Sequence, residues 1–161
     1  SQIFLPGQGS SAYRRSVYTF WKRTSPPPAM ALFDAPSRET CSVVRGNTNT
    51  PLQALVLMNE PQFVAAGVTL GKRILNQASE DHRSKIAFGF RLTTGRNPSP
   101  QELQILESLL QHNLERYRND PQAARDLLDD PAAKPSLAAQ QAAYAILGST
   151  LLNLDESITR P

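Results

Sequence analysis

After residue 50 the sequence repeatedly places a proline directly behind a polar residue that can cap a helix. This pattern occurs at Thr50-Pro51, at Ser99-Pro100 and at Asp120-Pro121, and the segment Asn59-Glu60-Pro61-Gln62 has a similar arrangement. Proline suits the first helical position because the N–H that it lacks would have no partner there. Gln53 and Glu102 stand where a capping box needs an acceptor. The sequence therefore predicts helix after helix, which is a strong restriction on the fold.

Apolar residues at helical spacing support this prediction. We expect helices from Thr50, from Asn59-Glu60, over about Glu80 to Thr94 with Gly95 as the stop, from Ser99, from Asp120 and from Ser136. The expected core residues are Phe63, Val64, Ala66, Gly67, Leu70, Gly71, Ile74, Leu75, Ile86, Ala87, Phe88, Phe90, Leu103, Leu106, Leu109, Leu110, Leu114, Tyr117, Leu137, Tyr144, Leu147, Leu151 and Leu152. Gly67 and Gly71 are four residues apart, which indicates close packing of two helices.

The predicted fold class is all-α, a bundle of about six helices preceded by a mostly irregular N-terminal arm with one short β-like segment. We expect residues 1–50 to be a basic arm packed on a bundle of residues 51–161, in one structural domain. Residues 1–50 hold six basic and two acidic side chains, a net +4, whereas residues 51–161 hold eleven and twelve, a net −1. The chain opens at Ser1 without a methionine, so we also expect it to be a piece of a longer protein.

The positive charge of the basic arm makes nucleic-acid binding one function to consider. The pairs Arg14-Arg15 and Lys22-Arg23 flank an aromatic run at positions 18, 20 and 21, which weakly imitates a nucleic-acid surface. A solvated strand with charged ends is favoured over nucleic acid. No apolar run approaches the ~20 residues that cross a bilayer, so no membrane span is predicted.

Cysteine and histidine restrict the chemistry further. The single cysteine, Cys41, excludes an internal disulfide, a multi-cysteine zinc site and a c-type haem attachment in this chain. We expect Cys41 to be an inert, partly buried thiol. His82 and His112 lie thirty positions apart in polar helical segments, so each is predicted to be a surface residue. No metal site and no cofactor are predicted in this chain.

The best candidate for chemistry is the loop that begins at Phe33. Pro36 disfavours helix at the preceding residue and places Asp34 on a turn. Asp34 and Glu39 are the weak catalytic candidates, because paired carboxylates suit acid–base chemistry. The binding candidates are cationic or amide side chains, namely Arg14, Arg15, Arg38, Arg45 and Asn49. A self-satisfied turn with a surface ion pair is favoured over a site.

Three polar residues close the last helix, namely Asn153, Asp155 and Glu156. Acids at a helix C-terminus meet the negative end of its dipole, so a cation from elsewhere is expected to pair with them. We expect Arg14, Arg15 or Arg38 to supply it and to clasp the arm onto the bundle. This clasp is favoured over a substrate site.

Three segments resemble one bacterial family, the planctomycete domain of unknown function family 1553. They are RRSVYTFWKRTSPPPAMALFDAPSRETC, NTPLQALVLMNEPQFVAAG and LLNLDESITR, and the resemblance runs from about Tyr13 to Arg160. It implies the carboxyl-terminal domain of a large secreted or periplasmic protein that often carries a cytochrome-c-like region upstream. This chain resembles the later part of that domain, so any haem would lie upstream. The family brings no established activity and no catalytic residues.

Three functions follow as hypotheses. The first is a non-catalytic helical module that docks on upstream domains of its parent protein. The second is part of an extracellular hydrolase-like enzyme acting on polysaccharide, with Asp34, Arg38 and Glu39 in its site. The third is weak polyanion binding by the basic arm. The sequence contains no motif that decides whether the protein is an enzyme.

Overall fold

The capping pairs form the helix starts that their spacing predicts. In the computed structural model, which describes residues 9, 15–22, 25–41, 43–44, 46, 48–77 and 81–158, Ser99 and Glu102 exchange both bonds of a capping box. Thr50 and Gln53 exchange the equivalent pair, at 2.9 and 3.3 Å. Asp120 accepts from the backbone N–H of Ala123 at 3.0 Å.

The prediction of an all-α fold is confirmed within the described residues. Six of the eight helices have seven or more residues, as the sequence indicates. The helices are α1 (Pro28–Leu32), α2 (Pro51–Asn59), α3 (Pro61–Leu75), α4 (His82–Thr94), α5 (Pro100–Asn119), α6 (Pro121–Leu128), α7 (Pro135–Leu152) and α8 (Asp155–Ile158). None of them is long and apolar enough to cross a membrane.

The chain divides into two compact units, Ser1–Val56 and Leu57–Pro161. We call them the N-terminal unit and the bundle. The division falls inside α2, so residues 51–56 of that helix belong with the N-terminal unit.

In the bundle, α7 is the central helix and packs against α3, α5 and α6. Its inner surface is largely alanine, which lets neighbouring helices approach closely. The largest fully buried side chains are Tyr144, Phe90, Ile74, Ile86, Leu110, Leu114, Leu147 and Leu151. All eight are among the core residues predicted from the sequence.

The close packing predicted at the glycines of α3 is confirmed. Gly67 and Gly71 face α7, where Gly148 provides the matching space. A Cβ atom at Gly71 would lie 2.5 Å from the backbone carbonyl of Tyr144, and one at Gly148 would lie 2.5 Å from the carbonyl oxygen of Gly67. The two backbones are therefore in direct contact.

Some local expectations are wrong. The N-cap of α3 is Glu60 alone, α4 starts at His82 behind an Asp81 cap, and α7 starts at Pro135, one residue before Ser136. Ala66 and Leu137 are exposed. The alanine positions take the inner side of α7, so Leu137, which lies one position before Ala138, falls outside it.

The N-terminal unit is mostly irregular, as predicted. Its described part contains a 3-10 turn at Ser16–Tyr18 and the short helix α1. The β-like segment amounts to one isolated antiparallel bridge between Lys22 and Ser25 within the described residues. Cys41 is exposed, contrary to the expectation of partial burial, because the irregular backbone around it has no packed layer to cover it.

Candidate functional site

The loop proposed for chemistry is built around a satisfied carboxylate. Asp34 has a φ of 56°, in the left-handed region that side-chain-bearing residues seldom occupy. Its Oδ2 accepts from the Thr48 backbone N–H at 2.8 Å and from the Thr48 hydroxyl at 2.7 Å. Two bonds from one residue fourteen positions away close the loop into a ring.

Gln53, 6% exposed, joins this carboxylate to α2. Its Nε2 donates to the Leu32 carbonyl at 2.9 Å and to the Thr48 hydroxyl oxygen at 3.0 Å. The Gln53 Oε1 meanwhile accepts from the Thr50 N–H in the capping box. The polar atoms of this side chain are thus all engaged. We call Leu32, Asp34, Thr48, Thr50 and Gln53 the Asp34 network.

These bonds set the charge of Asp34. The Thr48 hydroxyl, followed by the Thr48 N–H, lowers the pKa of the Asp34 carboxyl below its usual 3.8. A general acid needs a raised pKa, so this shift is in the wrong direction for that role. The geometry assigns Asp34 to holding the loop, in line with the satisfied turn that the sequence favoured. The donor of both bonds, however, is Thr48, which lies fourteen positions along the chain and was not expected.

The other predicted site residues lie elsewhere. The guanidinium of Arg38 lies 5.3 Å from the centroid of the Trp21 ring, and its Nη2 donates to the Ser16 carbonyl at 3.4 Å. Glu39 is exposed, and its contact is made by the backbone N–H, which donates to the Ser37 hydroxyl at 3.4 Å. Asn49 is adjacent in the chain to Thr48 of the Asp34 network. Arg14 and Arg45 lie outside the described residues.

Arg38 and Trp21 line two neighbouring cavities, which together we call the Trp21 cleft. One is open, has a volume of about 460 Å³ and is lined by Tyr18, Thr19, Phe20, Trp21, Ser37 and Arg38. The other has a volume of about 250 Å³ and is lined by Ser16, Val17, Trp21, Met30, Ala35, Pro36 and Arg38. Arg15 stacks at the margin, 5.7 Å from the centroid of the Tyr18 ring.

Sequence reasoning identified the members of this cleft but not their association. Arg38 also has a positive φ, of 62°, so the loop has two left-handed residues four positions apart. No spacing rule links Arg38 to Trp21 across seventeen positions of irregular chain. The one signal in the sequence that points to this cleft is the aromatic run at positions 18, 20 and 21, which lies beside basic residues.

Exposed apolar side chains are concentrated in the same unit. Phe20 is 81% exposed and Val43 98%, values that are unusual for such large apolar groups. Seven of the twelve large hydrophobic residues described as exposed belong to the N-terminal unit, which holds only about a third of the chain. They are Val17, Tyr18, Phe20, Val43, Val44, Leu52 and Leu55.

The bundle contains a polar pair that the sequence did not indicate. His82 is half-buried, and its Nδ1 lies 2.7 Å from the hydroxyl of the fully buried Tyr144. The expectation of a surface histidine is therefore wrong for His82 and right for His112, which is exposed. Burial raises the pKa of Tyr144 to about 12, so the phenol stays protonated and gives His82 a neutral partner.

The cation that meets the C-terminal acids is Arg96. Its Nε and Nη2 donate to the two carboxylate oxygens of Glu156 at 2.9 and 2.6 Å. Its Nη1 and Nη2 donate to Glu102 at 2.9 and 2.6 Å, and the guanidinium lies over the Phe90 ring. The clasp through Arg14, Arg15 or Arg38 is thus wrong for Glu156, whose partner belongs to the same unit.

The reason for this error lies in the last helix. The chain leaves α7 at Leu152 and starts α8, so Asp155 and Glu156 occupy the first turn of a new helix. There they lie at the positive end of the backbone dipole of α8, so the expected placement of two acids at a helix C-terminus is not what the structure has. Across the described ranges, no three His, Cys, Asp or Glu side chains are close enough to hold a metal ion.

The fold and the cleft define a small helical module with an irregular, aromatic N-terminal unit. A family model described as PSD1, a protein of unknown function (DUF1553), matches residues 2–110, and the chain belongs to that family. The match covers the N-terminal unit and the bundle as far as α5, so the closing segment of the sequence resemblance lies outside it. Neither a curated protein nor a solved structure matches.

Proposed function

We propose that the chain is a non-catalytic docking module, which binds another part of a secreted multidomain bacterial protein through its N-terminal unit. The observation that carries this proposal is the concentration of exposed apolar side chains in that unit, with Phe20 as its more exposed aromatic member. Burying such groups against a partner is favourable, by about 1.5–3 kcal/mol for each large side chain. Docking explains why these apolar side chains are exposed in the chain alone, since the partner would cover them.

The Asp34 network supports docking over catalysis. It uses the Asp34 carboxylate as a backbone anchor and lowers its pKa, so the residue best placed for acid–base work is engaged in structure. The polysaccharide-hydrolase alternative needs Asp34 or Glu39 to act on a substrate. It therefore predicts that Asp34→Asn abolishes turnover by the parent protein. The docking proposal predicts that Asp34→Asn leaves turnover by the parent protein nearly intact, apart from any loss caused by loosening of the loop.

The test is a calorimetric titration of this chain against the remaining portion of its parent protein. We expect saturable binding that Phe20→Ser weakens at least about tenfold, since one large buried side chain contributes that much. The matched control is Ile105→Ser, because Ile105 is 68% exposed on α5 of the bundle. Binding that Phe20→Ser leaves unchanged, or that Ile105→Ser weakens equally, would contradict the proposal.

The polyanion alternative has its own signature. Binding through the basic arm would fall steeply with salt and would not depend on Phe20. A titration of heparin at two salt concentrations, with the wild-type chain and the Phe20→Ser variant, separates it from docking on a protein.

A further inference from the structure

We infer that the Trp21 cleft recognises an acidic polypeptide segment in which a carboxylate lies next to an aromatic or aliphatic side chain. This inference rests on the proposed docking function and specifies the chemistry of the partner. It is carried by three features of the cleft, namely the guanidinium of Arg38 stacked on Trp21, the positive charge around the cleft, and a small cavity with apolar walls that Arg38 borders.

The first feature is the position of Arg38. Stacking on Trp21 uses the flat face of the guanidinium, whereas its N–H groups lie along the edge. Among the described residues, its hydrogen bond is to the Ser16 carbonyl at 3.4 Å, which uses one of the five N–H donors of the guanidinium. A guanidinium held in this way suits a carboxylate, which can accept two parallel bonds from it.

The backbone at Arg38 supports this role. Its φ of 62° lies in the left-handed region, which is unfavourable for a residue with a side chain. Such a conformation persists where the surrounding structure holds it, and it is common in binding sites. Here the result of that conformation is a guanidinium placed over Trp21, at the wall shared by the two cavities.

The second feature is the charge around the cleft. Arg15 stacks on Tyr18, so two arginines are held against aromatic rings of one segment. Residues 1–50 carry a net charge of +4, and of their two acids Asp34 is engaged by Thr48. Among the described residues that line the two cavities, Arg38 is charged and none is a carboxylate, which favours an anionic partner.

The third feature is the size and lining of the inner cavity. Its volume of about 250 Å³ lies below the ~300–1,000 Å³ range of small-molecule pockets and suits one inserted side chain. Val17, Met30 and Pro36 give it apolar walls, and Trp21 forms part of its border. A partner segment with a carboxylate next to an apolar side chain would pair its carboxylate with Arg38 and place the apolar side chain in this cavity.

The experiment is a selection of random twelve-residue peptides, displayed on phage, against the full chain. Peptides that also bind the Arg38→Gln variant are removed, with Arg116→Gln as the matched control. Arg116 stacks on Tyr117 in the bundle at 5.4 Å, so this control removes a guanidinium of the same type away from the cleft. We expect enrichment of Asp or Glu next to an aromatic or aliphatic residue.

The affinity of an enriched peptide is then measured by calorimetry. We expect Arg38→Gln to weaken binding at least about tenfold, as the loss of a charged hydrogen bond does, and Arg116→Gln to leave it unchanged. Replacing the acidic residue of the peptide by its amide should weaken binding to the wild-type chain by the same factor. This last arm needs no protein variant, so a folding defect of Arg38→Gln cannot hide the answer.

The outcomes separate the inference from the function on which it rests. Enriched peptides that are apolar but carry no acid, together with parent-protein binding that depends on Phe20, would overturn the inference and leave docking standing. No enriched peptide and no dependence on Phe20 would overturn both. Heparin binding that Arg38→Gln abolishes, without peptide enrichment, would show an anionic glycan in place of a polypeptide and would also overturn the inference.

Discussion

The bundle and the N-terminal unit are held together by different kinds of interaction. In the bundle, α3 and α7 meet backbone to backbone at Gly67, Gly71 and Gly148, over a buried layer of alanine, leucine and isoleucine. In the N-terminal unit, the equivalent task falls to a few hydrogen bonds around Asp34 and Gln53. The bundle encloses its large apolar groups, and the N-terminal unit presents many of its own to solvent.

This difference separates a unit stabilised by close packing from a unit that presents side chains at its surface. A close-packed interface between helices tolerates few substitutions, because adding or removing even one methylene group disturbs the packing of the neighbouring side chains. A loop held by a polar network can present side chains at a surface with little packing behind them, and exposed loops are where binding residues usually lie. The following experiments test this contrast, from the largest expected effect to the smallest.

The largest effect is expected from Gly71→Ala in α3. The added methyl group would lie 2.5 Å from the backbone carbonyl of Tyr144, so the helices must move apart. We expect the free energy of unfolding, measured with urea, to fall by about 3 kcal/mol. The matched control is Gly46→Ala in the N-terminal unit, where an added Cβ meets nothing described within 4 Å. Equal losses in both variants would remove the contrast.

Gln53→Ala should act on the N-terminal unit alone. It leaves the Leu32 carbonyl and the Thr48 hydroxyl without the Gln53 amide, and it breaks the capping box of α2. We expect a loss of about 1–3 kcal/mol in local stability, measured by hydrogen exchange of the backbone amides at Thr48 and at position 53.

The control for this measurement is Gln62→Ala, in the exposed first turn of α3. Protection of bundle amides such as that of Leu147 should be the same in both variants. If Gln53→Ala lowered protection throughout the bundle, the two regions would unfold as one cooperative unit.

Alkaline pH should weaken the bundle through Tyr144. Burial raises the pKa of this phenol from 10.0 to about 12. Its contribution to stability is therefore fully present below pH 10 and is lost as the pH rises through about 12, because the unfolded chain ionises first. Urea unfolding at pH 9 and pH 11 should show the loss.

Tyr144→Phe should reduce that alkaline loss and cost about 1 kcal/mol at neutral pH, since the bond to His82 is gone. Part of the alkaline loss should remain, because burial raises the pKa of Tyr117 as well. Tyr18→Phe, in the N-terminal unit, is the matched control and should leave the pH profile unchanged. An unchanged profile in Tyr144→Phe would contradict the assignment.

The smallest effect is expected from the exposed ion pairs of Arg96. The bond from Arg96, followed by the Ser99 N–H, lowers the pKa of Glu102 from 4.5 to about 2. Its contribution is present above pH 4.5 and is lost as the pH falls through about 2. Exposed pairs are screened by water, so the change in Tm should be slight.

Glu102→Gln removes the charge but keeps an acceptor for Ser99. We expect its Tm to lie slightly below that of the wild type at pH 7 and to equal it at pH 2. Glu115→Gln, in an exposed position of the same helix, is the control and should match the wild type at both values. A difference that persisted at pH 2 would show that packing, and not charge, is responsible.

Much of the helical structure could be predicted because its signals are local. The capping boxes at Thr50 and Ser99 join residues three positions apart, and the apolar stripe of α5 repeats with the helical turn. Such patterns depend on residues that are near neighbours in the sequence, so they can be recognised without the tertiary structure. The expected core was therefore largely right, with Ala66 and Leu137, which are exposed, as exceptions.

The candidate site could be predicted only as a set of residues. Asp34 and Arg38 were identified as members of one loop, but the expected pairing of carboxylate and guanidinium is not the arrangement that forms. Asp34 meets Thr48 and Arg38 meets Trp21, because irregular chain has no period from which a partner can be read. The strength of the Asp34 network depends on Gln53, which the sequence indicated only as a capping residue.

The sequence by itself determined the helices, their caps and most of the buried faces, because backbone hydrogen bonds within a helix join near neighbours. The tertiary structure alone decided which polar groups meet, as it did for His82 with Tyr144 and for Arg96 with Glu156, pairs separated by about sixty residues. Their contact depends on the path of the whole chain and on the exclusion of water between helices. For the same physical reason, the cleft formed by Trp21 and Arg38 appears only when the N-terminal unit is folded.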